Sequence, residues 1–475
     1  MGNRVAVALA LAACGAEPLD APPAAPPAKS ARVLPSGTPG NVLVILLDDL
    51  SAQHLEAYLE VPGQPHTPTV SALADAGVTF LNGYSFPTCT PARGALLTGR
   101  YPARYGLGNP LRNDDPQRSL PLAEVTLPEA LRHSPYGYTS ALLGKWHLNA
   151  LNAPASAFGP VDQGFDFASG TISNPQNSVT ETPDLDYFHW ERITNGRPEI
   201  VDGYLTTATA DDVVHRARQL PEPWFLLAAF NAPHEPYHVP PAHLVHTQPT
   251  YPCEDAPAQC FTAMVEAADT EIGRMLSEID PDVLARTTIV LTADNGAPAH
   301  VMRPPFDPAR SKGTLYDGGV RVPFIVAGPW VTQRGARSEA LVSVVDLFAT
   351  LTELTEVPPL TAWDGGPLET DSVSFLHLIG DPGAAALPPR DRFVYAEGFR
   401  DLGAPPYIYH QRMVRTPTAK LIRDGGVDLQ FAYEGSREGD DWMVGGAPPK
   451  AVSADTMVLT NLMEIVETEL TYEGP

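Results

Sequence analysis

The chain has 475 residues, 43% hydrophobic and 18% charged, the balance of a globular protein with a sizeable core. Its formal net charge of −25 argues against nucleic acid as a main partner, because neutralising phosphates needs a basic face. The same charge leaves carboxylates in plenty for hard cations, and an anionic substrate would need a local cationic pocket.

The first residues, "MGNRVAVALALAACG", place one basic residue, Arg4, before a short apolar run that ends in Leu11-Ala12-Ala13-Cys14. Small residues before a cysteine resemble the bacterial lipobox, with Cys14 lipidated; a plain secretory signal cleaved nearby is the alternative. The run is too short for a transmembrane helix. Either reading exports the mature protein, and the lipobox reading makes an anchor at Cys14 its one membrane contact. Residues 15–38 are rich in Pro and Ala, a tether able to hold a domain roughly 70 Å from its anchor. The expected organisation is a signal segment over 1–14, the tether over 15–38, a catalytic domain over 39–389 and a small C-terminal subdomain over 390–475.

Four apolar runs are each followed at once by polar residues. Asn41–Leu47 leads into Asp48-Asp49, and Tyr138–Leu143 into "GKWH", which holds Lys145 and His147. Trp224–Phe230 leads into "NAPH", ending at His234, and Thr287–Ala293 into Asp294-Asn295. Continuous apolar runs of this length predict strands buried on both faces, as in a parallel sheet. Helices are predicted between them: from Pro68 to Gly77 with Thr67 as hydroxyl cap, over Gln259–Ile279, and over Leu341–Leu354. Alternation of this kind implies an α/β fold, a large central, mostly parallel sheet sandwiched by helices. Beyond about Arg390 the short runs "RFVYAEG", "YHQRMVR" and "AKLIRD", with a closing helix in "TMVLTNLMEIVETEL", predict a smaller α+β part with an antiparallel sheet.

Ligands in open α/β sheets bind beyond the carboxyl ends of the strands, so the four polar clusters should meet there. Asp48-Asp49 alone could be a helix cap with a solvated neighbour, and Asp294-Asn295 an Asx turn before Gly296. Together they supply three carboxylates and an amide, an all-oxygen set suited to Ca²⁺, with Mg²⁺ second, rather than zinc. Only five lysines stand against 26 arginines, and two of the five, Lys145 and Lys312, fall at candidate site positions. Cys253 and Cys260 flank six residues, which in an oxidising compartment favours a disulfide-closed loop. That leaves Cys89 by itself in "SFPTCTPARGALLTGR", where Thr90 could cap a helix that Pro91 opens. A packed thiol, a nucleophile and a residue destined for chemical conversion all fit that position.

From about Asn41 into the C-terminal region the chain resembles the formylglycine-dependent sulfatases of the alkaline-phosphatase superfamily. The resemblance rests on "LLDD", "CTPARGALLTGR", "GKWHL", "FNAPHEP", "TADNG" and "KGTLYDGGVRVPFIVAGP". It implies an alkaline-phosphatase-like fold and hydrolysis of aryl or carbohydrate sulfate monoesters. It implies that a formylglycine-generating enzyme converts Cys89 to formylglycine before folding. Asp48, Asp49, Asp294 and Asn295 would then be the Ca²⁺ ligands, with the oxygen at position 89 also facing the metal. Arg93 would hold the formylglycine hydrate, and Lys145, His147, His234 and Lys312 would surround the sulfate. One hydroxyl of the hydrate would take the sulfo group and the other would expel sulfate by elimination. His234 or Lys312 would protonate the leaving oxygen, and His147 would assist elimination. His238 is a weaker candidate, and His300 and Arg303 are open positions for substrate contact.

Two departures from the family pattern stand out: Asn149 where Gly is common after "GKWHL", and "LQFAYEGSREGDDW" in place of a clear "LYDL". The alternatives are a phosphonate or phosphate ester hydrolase with the same nucleophile, or an inert lipoprotein that captures sulfated glycans. Leu151–Val201 and Val239–Ala258 read as loops on the pocket rim. Phe165, Tyr187 and Trp190 there could stack on sugars or pack inward.

Overall fold

The computed structural model describes residues 40–58, 62–112, 118–151, 154–362, 365–383, 393–400, 402–425, 427–432 and 454–470. The signal segment, the tether and Cys14 lie outside the described residues, as do the 389/390 boundary and most of "LQFAYEGSREGDDW".

Among the described residues, fourteen strands follow in chain order. They are β1 Asn41–Leu47, β2 Gly77–Tyr84, β3 Thr139–Gly144, β4 Phe167–Gly170, β5 His189–Thr194, β6 Arg197–Asp202 and β7 Trp224–Ala229. Then come β8 Thr287–Ala293, β9 Phe324–Ala327, β10 Ala336–Ser343, β11 Val394–Arg400, β12 Ile408–Arg415, β13 Ala419–Asp424 and β14 Val427–Ala432. The first ten form one sheet in the order β10-β2-β9-β8-β1-β7-β3-β4-β5-β6. Its centre, β8-β1-β7-β3-β4, is parallel throughout, whereas β9, β5 and β6 run antiparallel to their neighbours. The remaining four make a separate antiparallel sheet in the order β11-β12-β13-β14.

Both faces of the large sheet are covered, which is why β1 is apolar at every position after Asn41. Val42, Val44 and Leu46 join one buried cluster, and Leu43, Ile45 and Leu47 the other. Helices Pro68–Ala76, Leu205–Gln219 and Pro257–Glu278 cover the second face. Helices Cys89–Thr98, Leu127–Arg132 and Leu347–Leu354 cover the first. The small sheet shares that first core, since Met413, Val414, Leu421 and Ile422 belong to the same cluster as Val44 and Leu97. The Cys253–Cys260 disulfide closes its loop at the start of helix Pro257–Glu278. Among the described residues no helix is long and apolar enough to cross a membrane.

Several local expectations are corrected. Leu341–Ser343 pair with β2 as the end of β10, so the helix expected from Leu341 begins at Leu347. The Asp346 carboxylate accepts from the Ser343 N–H at 2.9 Å and turns the chain between the two elements. Thr67 does not cap the helix it precedes. Asp269 does so from a distant helix, accepting from the N–H groups of Thr69 at 3.0 Å and Val70 at 2.8 Å. Thr90 lies inside its helix, where its hydroxyl donates to the His147 carbonyl. Part of Leu151–Val201 is sheet (β4, β5 and most of β6) rather than loop. Phe165, Tyr187 and Trp190 are buried, so they pack inward and offer no stacking face.

Candidate active site

The carboxyl ends of β8, β1, β7 and β3 lie side by side, so their polar clusters converge. Backbone bonds knit the ends together: Asp294 N–H donates to the Leu47 carbonyl at 3.0 Å, Asp48 N–H to Ala232 at 3.2 Å and Lys145 N–H to Ala229 at 2.7 Å. Gly144 makes the last contact possible, because a Cβ there would sit 2.0 Å from the Ala229 oxygen. The chain then turns sharply. Asp49 and His147 adopt left-handed backbone angles (φ 69° and 60°), conformations that persist where surrounding contacts fix them.

Cys89 opens the helix Cys89–Thr98 and is 1% exposed. Its Sγ lies 3.5 Å from Asp48 Oδ1 and 3.8 Å from the ammonium groups of both Lys145 and Lys312. Burial, reinforced by the Asp48 charge, pushes the thiol up from its ordinary pKa, the opposite of what a thiolate nucleophile needs. One turn on, Arg93 donates to Asp294 Oδ2, to Asp48 Oδ2 at 3.3 Å and to the Lys145 carbonyl at 2.7 Å.

Lys145 is buried and its ammonium is paired with Asp48, so it is no surface lysine. Lys312 reaches Asp49 Oδ1 at 2.5 Å. Burial would raise Asp48, but Lys145, Arg93 and Lys312 together hold it well below the usual carboxylate range. Burial prevails at Asp49, which is raised, and at Asp294, pushed up to about 6 with help from Asp48. Burial would lower Lys312, yet Asp49 holds it well above its ordinary value. Burial, then the charges of Lys145 and Lys312, pushes His234 down to about 3. His147 is likewise held low by burial and Lys145, and its ring lies 3.4 Å from the Leu111 carbonyl.

The cluster fits a hard cation. Asp49 Oδ2 and Asn295 Oδ1 are buried and have no hydrogen-bond partner among the described residues. Asn295 Nδ2 donates to Asp49 Oδ1 at 2.7 Å, which leaves its own oxygen free to bind. Ligand atoms of Asp48, Asp49, Cys89 and His234 lie within 4.8 Å of one another. Asp294 is more committed, with Oδ1 accepting from the Asp49 N–H at 3.2 Å and Oδ2 held by Arg93. Three carboxylates face three cationic side chains, so a divalent ion would leave the site positive for an anionic ligand.

The structure therefore brings together all the residues named from sequence as catalytic or metal-binding. His238 instead packs against Tyr187, with ring centroids 4.3 Å apart, and bonds the Tyr204 hydroxyl. His300 bonds the Tyr237 hydroxyl, and Arg303 the Gly63 carbonyl. Asn149 accepts from the Trp146 indole at 2.5 Å, which accounts for a side chain where glycine is common. Sequence reasoning missed Asn174, whose Oδ1 accepts from Lys145 Nζ at 2.6 Å. It also missed Ser85, whose hydroxyl donates to the Asp294 carbonyl at 2.6 Å. Asn174 sits in no run with a spacing signal, and Ser85 opens the Cys89 segment without a residue pattern that marks it.

The chain is 29% identical over 343 residues to the uncharacterized sulfatase YdeN of Escherichia coli (strain K12), matching 67% of this chain and 58% of that protein. It is 30% identical over 353 residues to N-acetylgalactosamine-6-sulfatase of Homo sapiens, matching 68% of this chain and 63% of the relative. For arylsulfatase A of Bos taurus the figures are 30% over 360 residues, 69% and 67%. The chain thus spans about three-fifths of the length of the first two. Among solved structures, Ps i-CgsB in complex with k-i-k-neocarrahexaose superposes with a TM-score of 0.73 at 22% identity, covering 91% of this chain and 93% of that one. The Sulfatase family model matches residues 40–357, a span that holds every site residue from Asp48 to Lys312, and the chain belongs to the sulfatase family.

Proposed function

We propose that this protein hydrolyses sulfate monoesters of aryl or carbohydrate alcohols, with Cys89 as precursor of the catalytic group. The observation that carries the reading is the setting of Cys89: a buried thiol with raised pKa, 3.8 Å from two ammonium groups and clustered with ligand atoms of Asp48, Asp49 and His234. Such a thiol is a poor reagent as it stands and well placed as raw material. Formylglycine at this position would supply a hydrated aldehyde able to accept a sulfo group and release it without attack of water on sulfur. Ca²⁺ held by Asp48, Asp49, Asn295 and Asp294 would supply positive charge opposite the sulfate oxygens.

The side chains carry the rest. Arg93 fixes the carboxylates of Asp48 and Asp294 and thereby the floor of the site. The ammonium groups of Lys145 and Lys312 both lie 3.8 Å from Cys89 Sγ and stabilise negative charge on the transferred group. Lys312, held protonated by Asp49, is the better-placed acid for the leaving oxygen, because His234 is neutral. His147, also neutral, is suited to take a proton during elimination. The names of the relatives support sulfate over phosphate.

Rates on p-nitrophenyl sulfate and p-nitrophenyl phosphate with added Ca²⁺ test the activity; a preference for phosphate overturns it. Mass spectrometry of the Cys89 peptide from the native host tests the conversion, and unmodified Cys89 favours the inert reading. Export and anchoring at Cys14 belong to the same proposal; labelled palmitate that still incorporates after Cys14→Ser removes the anchor at Cys14, and protein found only in the cytoplasmic fraction removes export.

A further inference from the structure

Lys420, one of the five lysines, is fully buried, yet it stands on β13 of the small sheet and not at the strand-end cluster. Its ammonium donates to Asp317 Oδ1 at 2.9 Å. The Tyr84 hydroxyl donates to the same oxygen at 3.1 Å and accepts from Arg415 Nε of β12 at 3.0 Å. Burial would raise Asp317, but Lys420, Arg321 and Arg415 keep its carboxyl below the ordinary value. A buried carboxylate so paired is fixed in place, and the turn it opens, Asp317–Val320, is fixed with it.

That turn touches both loops that carry the oxygen ligands. The Gly318 carbonyl accepts from the Ser51 hydroxyl at 3.0 Å, and that hydroxyl accepts from the Ala297 N–H at 2.7 Å. The Gly319 carbonyl accepts from the Gly296 N–H at 2.8 Å. Ser51 is two residues beyond Asp49, and Gly296 is next to Asn295. The approach is backbone on backbone, since a Cβ on Gly296 would sit 2.0 Å from the Gly318 oxygen. On the other side, Val320 accepts from the Ser85 N–H at 2.8 Å, and the Ser85 hydroxyl holds the Asp294 carbonyl. The two strand-end loops therefore share one brace, and its anchor lies in the small sheet.

We propose that Lys420 is a positioning residue for the cation site, acting through Asp317 and the backbone of Gly318 and Gly319 on the loops of Asp49 and Asn295. The small sheet is then a working part of the metal site and not an appendage. Shells around ligands tune metal affinity in this way, typically by about 10-fold or more per partner. The inference rests on the cation reading above.

The test is Ca²⁺ uptake by the metal-stripped full chain, measured by titration calorimetry well below the melting point, with the melting temperature recorded in parallel. Lys420→Met should weaken Ca²⁺ roughly tenfold in protein that remains folded. Tyr84→Phe, which removes one hydroxyl from the brace and little volume, should weaken it about threefold. A purely structural role lowers the melting temperature and leaves the Ca²⁺ dissociation constant unmoved. Should Lys420→Met fail to fold, Tyr84→Phe decides. Wild-type affinity in the folded variants overturns this inference alone, whereas wild-type protein that takes up no Ca²⁺ overturns the metal reading and this inference with it.

Discussion

Arg93 donates from both Nε and Nη2 to a single oxygen of Asp294, at 3.0 and 2.8 Å. Both side chains are almost fully buried, and the second Arg93 partner, Asp48, is fully so. Breaking a buried pair from one side leaves an uncompensated charge and costs about 3–5 kcal/mol. Arg93→Met should therefore lower unfolding stability by about that amount in metal-free protein, as read by urea denaturation. A loss under about 1 kcal/mol would show that the carboxylates are neutralised without it.

Cys89→Ala separates chemistry from architecture. The thiol is buried at the start of its helix, and its removal deletes one atom, so the stability change should stay near 1 kcal/mol. Turnover of p-nitrophenyl sulfate should fall by about 10³-fold or more, the scale seen when a covalent nucleophile is lost. Rates close to wild type would remove the covalent route.

Much of this site was legible because parallel strands buried on both faces leave an unmistakable apolar run. β1 and β8 occupy the very residues of "NVLVILL" and "TTIVLTA", and the polar pairs that follow them meet as expected. β13 likewise matches "AKLIRD". The helix start at Leu341 was misread because "LVSVVDLFATL" is apolar on a period that suits both a strand end and a helix. Only pairing with β2 decides between them. Asn174 and Lys420 were illegible as site residues for a different reason. Each acts through one long-range bond, Asn174 to Lys145 and Lys420 to Asp317, and no local spacing encodes such a partner.

The Lys145 ammonium is shared between Asp48 and Asn174, the latter only partly buried. Asn174→Ala removes one acceptor and leaves the Asp48 pair in place. A hydrogen bond to a charged group contributes about 1.5–3 kcal/mol, so kcat/KM on an aryl sulfate should drop about 10- to 100-fold. The melting temperature should hardly move. An unchanged kcat/KM would mean that Asp48 alone orients Lys145.

Cation uptake should depend on pH with a defined sign. Burial raises Asp294 to about 6 and raises Asp49 as well, so the metal-free fold holds a proton on Asp294 at lower pH. Stability from that proton is complete below the unfolded value, about 3.9, and is lost as the pH rises through about 6. A cation must displace the proton to bind, and binding therefore releases it. Ca²⁺ affinity should fall about tenfold for each pH unit below about 6 and level off above it, once a single proton is exchanged. Calorimetric titrations in buffers of different ionisation enthalpy count that proton directly. Affinity that is flat between about pH 5 and 8, with no proton released, would show that Asp294 is ionised before the ion arrives and that Arg93, not burial, governs its charge.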